Sequence, residues 1–293
     1  VAVPDEHDFV DLDRTQRCLP RISCETFAGF IFINKNPDAK PLMESLGRSR
    51  EMLDPLDCQS LKEVYRDSMI VPCNWKVTAE AFLEVYHFKH IHSNKEGWAT
   101  LDSKKSAMGL YPQGHSRMVT GYSDQHVQRS NMNNWDDWKP IDNGDFKIVQ
   151  STSQDFLNML DCTSTAVSYF PNTIIPLGVF GFPILLFWPI DIGTTLLEWF
   201  YYAPPDWEGD ELPLHWKIRA KQFNQIMDED KYNMEPMQES LNSKAFTGVP
   251  ISYQERRIWH LHEEIDRKIG LDRIEKGLRM DQLLEPYLID EHV

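Results

Sequence analysis

Residues 163–202 read TSTAVSYFPNTIIPLGVFGFPILLFWPIDIGTTLLEWFYY, and their reading decides the fold. No Asp, Glu, Lys or Arg occurs between 162 and 190, a length that would admit a transmembrane helix. Pro171, Pro176, Pro183 and Pro189, with Gly178 and Gly181, would break any such helix. The pieces between them (STAVSYF, TIIPLGVF, ILLFWPI, TLLEWFYYA) are short, β-branched and aromatic, and their close succession predicts an antiparallel meander of buried strands. After Pro204-Pro205 the period becomes helical over 214–238, over 252–269 and, more briefly, over 280–288. Strands followed by helices predict an α+β layer, a sheet with helices packed on one face.

Upstream, residues 21–34 (RISCETFAGFIFIN) alternate around Gly29 and lead into Asn36-Pro37-Asp38, which predicts a hairpin and its turn. A short helix over 41–46 ends at Gly47, and 74–90 has a helical period. Residues 100–146 are polar and Asn-rich, and predict mobile loops with one strand at 116–122. Residues 1–16 are polar and charged and read as a connector. With 41% hydrophobic and 26% charged residues the chain has a globular balance. Thirty basic against 45 acidic side chains leave −15, which disfavours nucleic acid and anionic membrane surfaces as partners. Five irregularly spaced cysteines form neither a disulfide framework nor a zinc set, and predict a cytoplasmic setting.

The chemistry is concentrated in residues 74–92, NWKVTAEAFLEVYHFKHIH, where three imidazoles and two carboxylates crowd together. On a continuous helix Glu80, Glu84 and His87 fall within about 40° of one another, whereas His92 lies about 140° from His87 and joins them only if the helix ends first. Taken singly, Glu80 and His90 read as a solvated face. Two histidines beside a carboxylate are what a divalent iron or zinc ion requires. Glu84-x-x-His87 also fits one half of a carboxylate-bridged di-iron site, but no second Glu-x-x-His follows, and the His-Glu-x-x-His of zinc hydrolases is missing. What remains is a mononuclear site of two histidines and a distant carboxylate.

Asn74-Trp75-Lys76, acids at Glu80 and Glu84, Tyr86-His87 and a second histidine five residues on resemble the signature of the catalytic domain of Rieske non-haem iron ring-hydroxylating oxygenase α subunits. The resemblance implies that His87 and His92 bind mononuclear Fe(II), and that Glu84 bridges to the Rieske cluster of a neighbouring subunit, so that Glu84→Ala keeps iron and abolishes turnover. The third ligand it implies lies in Met227-Asp228-Glu229-Asp230, followed by Glu235 and Gln238, where Asp230 is the ligand and Asp228 and Glu229 a solvated face. It further implies a helix-grip (Bet v 1-like, START-like) α+β fold, a homotrimer with or without β subunits, and a reductase or ferredoxin that brings electrons from NAD(P)H. Two departures stand out. Ala81 replaces the Asn that members of the family usually carry, removing an amide near the iron. No Cys-x-His with a later Cys-x-x-His occurs, so the [2Fe-2S] Rieske domain is expected upstream of the connector 1–16, with 17–293 as the catalytic domain.

The implied reaction is O2-dependent hydroxylation or oxidative demethylation of an aromatic, steroid-like or methylated-amine substrate, as in aromatic catabolism, by a mono- or dioxygenase. Pocket walls are expected from Ala81, Phe82, Leu83 and Ile226, and from Phe180 and Phe187 of the meander. Two rivals are a metal-free helix-grip binding domain for an apolar ligand, in which His87, His92 and Asp230 do not converge, and zinc hydrolysis on the same three residues.

Overall fold

The computed structural model describes residues 2–54, 56, 58–92, 101–122, 163–177, 182–203 and 211–289. Phe180 and the expected loops beyond residue 122 lie outside these residues. The meander forms as β6 (Thr163–Tyr169), β7 (Thr173–Leu177), β8 (Phe182–Asp191) and β9 (Thr194–Ala203), each antiparallel to the next. Three further strands extend it, β3 (Lys62–Val71) beyond β9, then β5 (Ser116–Tyr122) and β4 (Leu101–Leu110) beyond β6. The resulting order among the described residues is β3-β9-β8-β7-β6-β5-β4.

The chain has a strand, β4, where loops were expected from residue 100 onward, and β3 was not foreseen either. Both are sheet edges. An edge strand pairs on one side only and keeps charged residues such as Lys104, Lys105, Glu63 and Arg66, so its composition reads as loop. The central strands read clearly because both of their faces are covered. Along β8, Leu185 and Phe187 enter one core with Trp199, Tyr201, Trp216 and Phe223, while Phe182 and Ile184 enter another with Val167, Ile175, Phe27 and Met52. Each such buried side chain contributes about 1.5–3 kcal/mol.

The first core lies under α2 (Trp75–Glu80), the long α4 (Leu214–Leu241) and α5 (Arg256–Ile269). The second lies under the hairpin β1 (Ser23–Phe27)–β2 (Phe30–Asn34) and the short α1 (Leu42–Leu46). Covering elements on both faces replace the expected single helical layer. The hairpin turns on Ala28 and Gly29, with φ of 49° and 83°, the double left-handed geometry that a two-residue loop requires. The helix expected over 280–288 is reduced to a 3-10 turn, Glu285–Tyr287. In such a helix Leu284 N would bond Met280 O, but it donates instead to Glu263 Oε1 of α5 at 3.0 Å, and Pro286 has no N–H to give.

No helix among the described residues is long and apolar enough to cross a membrane, and Cys18, Cys24 and Cys73 are not in disulfides.

Candidate metal centre

Residues 74–92 do not form one helix. Asn74 caps α2, its side chain accepting from Lys76 N at 3.0 Å while its own N–H donates to Gln238 Oε1 of α4 at 2.7 Å. After Glu80 the helix tightens into i to i−3 bonds, Phe82 N to Ala79 O and Leu83 N to Glu80 O, and stops. A continuing helix would bond His87 N to Leu83 O. Instead the Leu83 carbonyl accepts from Arg257 Nη1 of α5 at 3.3 Å, and His87 N donates to Glu84 Oε2 at 3.2 Å. The side chain of Glu84 also accepts from Tyr86 N, a local bond that competes with helix. A separate short helix, α3 (Phe88–Ile91), then delivers His92 as its C-cap.

The break removes Glu80 from the others: its carboxylate pairs with His262 Nε2 at 2.6 Å. The expected three-residue alignment of Glu80, Glu84 and His87 therefore fails, because backbone bonding ends the helix at Ala81. His87, His92 and Asp230 come together, offering ligand atoms all within 4.8 Å of one another. Asp230 Oδ1 lies 3.2 Å from His92 Nε2 and 3.7 Å from His87 Nε2. The opposite nitrogens face carboxylates, His87 Nδ1 meeting Glu84 Oε1 and His92 Nδ1 meeting Glu229 Oε2 at 2.8 Å. Burial works against charge on the His92 imidazole, but Asp230 and Glu229 outweigh it and raise its pKa. The pocket thus favours a positive charge where the imidazoles and Asp230 meet.

Glu229 departs from the solvated face expected for it, since its carboxylate turns inward to His92; Asp228 is exposed. No periodicity separates Glu229 from a surface acid, so its role was illegible without the partner ring. His260 is fully buried, with Nε2 2.9 Å from Tyr111 O.

Beside the three residues opens a pocket partly continuous with solvent. Phe82 and Ile226 line it together with Val85, Phe88, Ile174 and Phe223. Leu83, Phe187 and Ala81 are not in its wall: Leu83 and Phe187 are 2% and 0% exposed core residues, and Ala81 packs against the same core from the end of α2. Its floor was not foreseen. Met118, Ala166 and Pro176 face it from one row across β5, β6 and β7, and Thr120 and Ser164 from the next. Their alternation within 116–122 and 163–169 was the available signal.

Two imidazoles and a carboxylate on one side of an open cavity match the donor set of a mononuclear Fe(II) site, and each imidazole has its second nitrogen engaged as such ligands do. Fold and site define the catalytic domain of a Rieske ring-hydroxylating oxygenase α subunit. Residues 58–271 match the family described as ring hydroxylating alpha subunit (catalytic domain), and the chain belongs to it. Among curated relatives, the 2-aminobenzenesulfonate 2,3-dioxygenase subunit alpha of Alcaligenes sp is 30% identical over 129 residues, 43% of this chain and 32% of that one. The carnitine monooxygenase oxygenase subunit of Escherichia coli (strain K12) is 24% identical over 81% of this chain and 56% of its own length. The chain thus spans between about a third and just over half of these relatives. A solved quaternary ammonium Rieske monooxygenase, CntA, shares the fold with a TM-score of 0.65 at 18% identity, covering 92% of this chain and 67% of that one.

Proposed function

We propose that this chain is the iron-binding catalytic part of a terminal oxygenase that hydroxylates or oxidatively demethylates a small organic molecule, using O2 and electrons from NAD(P)H passed through a reductase or ferredoxin and a Rieske [2Fe-2S] cluster. The observation that carries this reading is the convergence of His87, His92 and Asp230 within 4.8 Å beside an apolar cavity. Iron held there supplies reductive O2 activation, which no side chain can perform.

The chain's own groups prepare that chemistry. His87 and His92 turn their Nε2 atoms toward Asp230 while their Nδ1 atoms face carboxylates. A metal held by His87, His92 and Asp230 would border the cavity, where a substrate could approach it. Phe82, Phe88 and Phe223 exclude water and suit a flat or branched apolar substrate, and Thr120 and Ser164 offer hydroxyls to a polar substituent. Aromatic, steroid-like and methylated-amine substrates all fit this description, the last through contact of a cation with aromatic faces.

In this reading Glu84 couples the site to a Rieske cluster carried by a neighbouring subunit of a homotrimer, with or without β subunits. Residues 1–16 connect to that cluster's domain, and 17–293 are the catalytic unit, folded as a helix-grip. The metal-free rival requires His87, His92 and Asp230 to stay apart, and their ligand atoms do not.

Anaerobic Fe(II) binding, counted per chain for wild type and Asp230→Ala, tests the proposal. About one iron in wild type and none in the variant is the expected result for a single three-ligand site. Full binding in the variant would remove Asp230 from the ligand set, and an iron-free wild type would sink the oxygenase reading.

A further inference from the structure

We propose that Glu229 is a positioning residue that fixes the tautomer and orientation of His92, an inference that rests on the metal reading above. The side chain of His92 is 1% exposed and is spanned by two consecutive residues of α4, with Glu229 Oε2 at 2.8 Å from Nδ1 and Asp230 Oδ1 at 3.2 Å from Nε2. The two nitrogens of an imidazole project from opposite sides of the ring. Glu229 therefore cannot share the point that Nε2 faces, and its function differs from that of its neighbour. An ionised carboxylate only accepts hydrogen bonds, so the proton of neutral His92 is held on Nδ1 and the Nε2 lone pair is left for a cation.

The arrangement is asymmetric between the two histidines. Glu84 supports His87 from three residues earlier on the same segment, so that pair is local. His92 and Glu229 are separated by 137 residues, and their bond joins the end of α3 to the helix that carries Asp230. Ligand and support arrive on one turn of α4, which sets the distance between Asp230 and His92 as well as the ring's rotation. Carboxylates behind ligating histidines raise ligand basicity, and their loss typically costs about 10–100-fold in metal affinity.

The experiment measures Fe(II) affinity anaerobically, and Co(II) affinity with its visible absorption spectrum, on the full chain for wild type, Glu229→Ala, Glu229→Met and Glu229→Gln. Methionine keeps the side chain's length without a comparable acceptor, so it stands in should the alanine variant misfold; circular dichroism checks each fold. The expected result is affinity about 10–100-fold weaker and an altered Co(II) spectrum in the alanine and methionine variants. Glutamine, whose amide oxygen accepts the same proton, restores both to near wild type. Wild-type affinity and spectrum in the methionine variant would overturn this inference alone. Equal loss in the glutamine variant would overturn it in favour of a requirement for charge. A wild-type chain that takes up neither ion fails the metal reading, and this inference with it.

Discussion

Glu84 divides its two oxygens between the ring of His87 and the backbone N–H groups of Tyr86 and His87, so it builds the turn that it sits in. A residue with that many bonds is a poor target for truncation. Glu84→Ala leaves buried donors unsatisfied and is expected to cost about 1–3 kcal/mol of stability, read from a urea midpoint. It is also expected to loosen iron, in contrast to what the motif alone implied. Glu84→Gln keeps an acceptor of the same length. It is expected to retain fold and Fe(II) while the complete oxygenase loses turnover, and normal turnover in that variant would remove Glu84 from the coupling role. Glu229 makes the complementary point: a carboxylate one residue from a ligand is indistinguishable from a surface acid until the ring it supports is in place.

Among the elements, the break between α2 and α3 does most to position the site. It exists because Leu83 O is claimed by Arg257, a residue 1% exposed whose Nε also donates to Ser116 Oγ at 2.9 Å. Burial lowers the Arg257 pKa to about 9, a sign of how costly its charge is inside α5's packing. Ser116→Ala would leave that charge buried with one acceptor fewer and is expected to destabilise by about 2–3 kcal/mol. Arg257→Met removes the charge while keeping bulk, and is expected to cost less stability yet weaken Fe(II) binding, because the Leu83 tether is lost. Urea denaturation and metal titration of the two variants together check this, and the opposite order in both measurements would show that Arg257 does not hold the loop.

Across the whole molecule, stability is tied to pH through histidines enclosed between the sheet and α5. Burial pushes the His115 pKa from 6.5 down to about 4, and burial lowers that of His260 as well. The unfolded chain therefore binds more protons than the folded one between about pH 4 and 6.5. His115 contributes its full share above pH 6.5 and loses it as the pH falls toward 4. That share is about 3 kcal/mol on the conversion of pKa shift to free energy. His115→Asn, whose amide oxygen can replace Nδ1 as the acceptor for Phe170 N, is expected to show a smaller fall in thermal midpoint between pH 7 and 5 than wild type. Identical slopes would assign the acid sensitivity to other groups.

By itself, the sequence determined the central meander, the two long helices after it and the hairpin at Gly29. Each is written in local periodicity or in turn chemistry, because both faces of a central strand and the inner stripe of a helix must be apolar wherever they pack. Tertiary structure alone decided the edge strands β3 and β4, the truncation of the 280–288 helix, the departure of Glu80 to His262, and the attachment of Glu229 to His92. In each case the outcome is set by a partner distant in the chain: Arg257 reaches Leu83 across 174 residues, and Glu229 reaches His92 across 137. A backbone carbonyl or imidazole nitrogen takes whichever partner folding brings within hydrogen-bonding distance, and helical propensity yields to that contact because a buried polar group left unpaired costs more than the turn of helix it replaces.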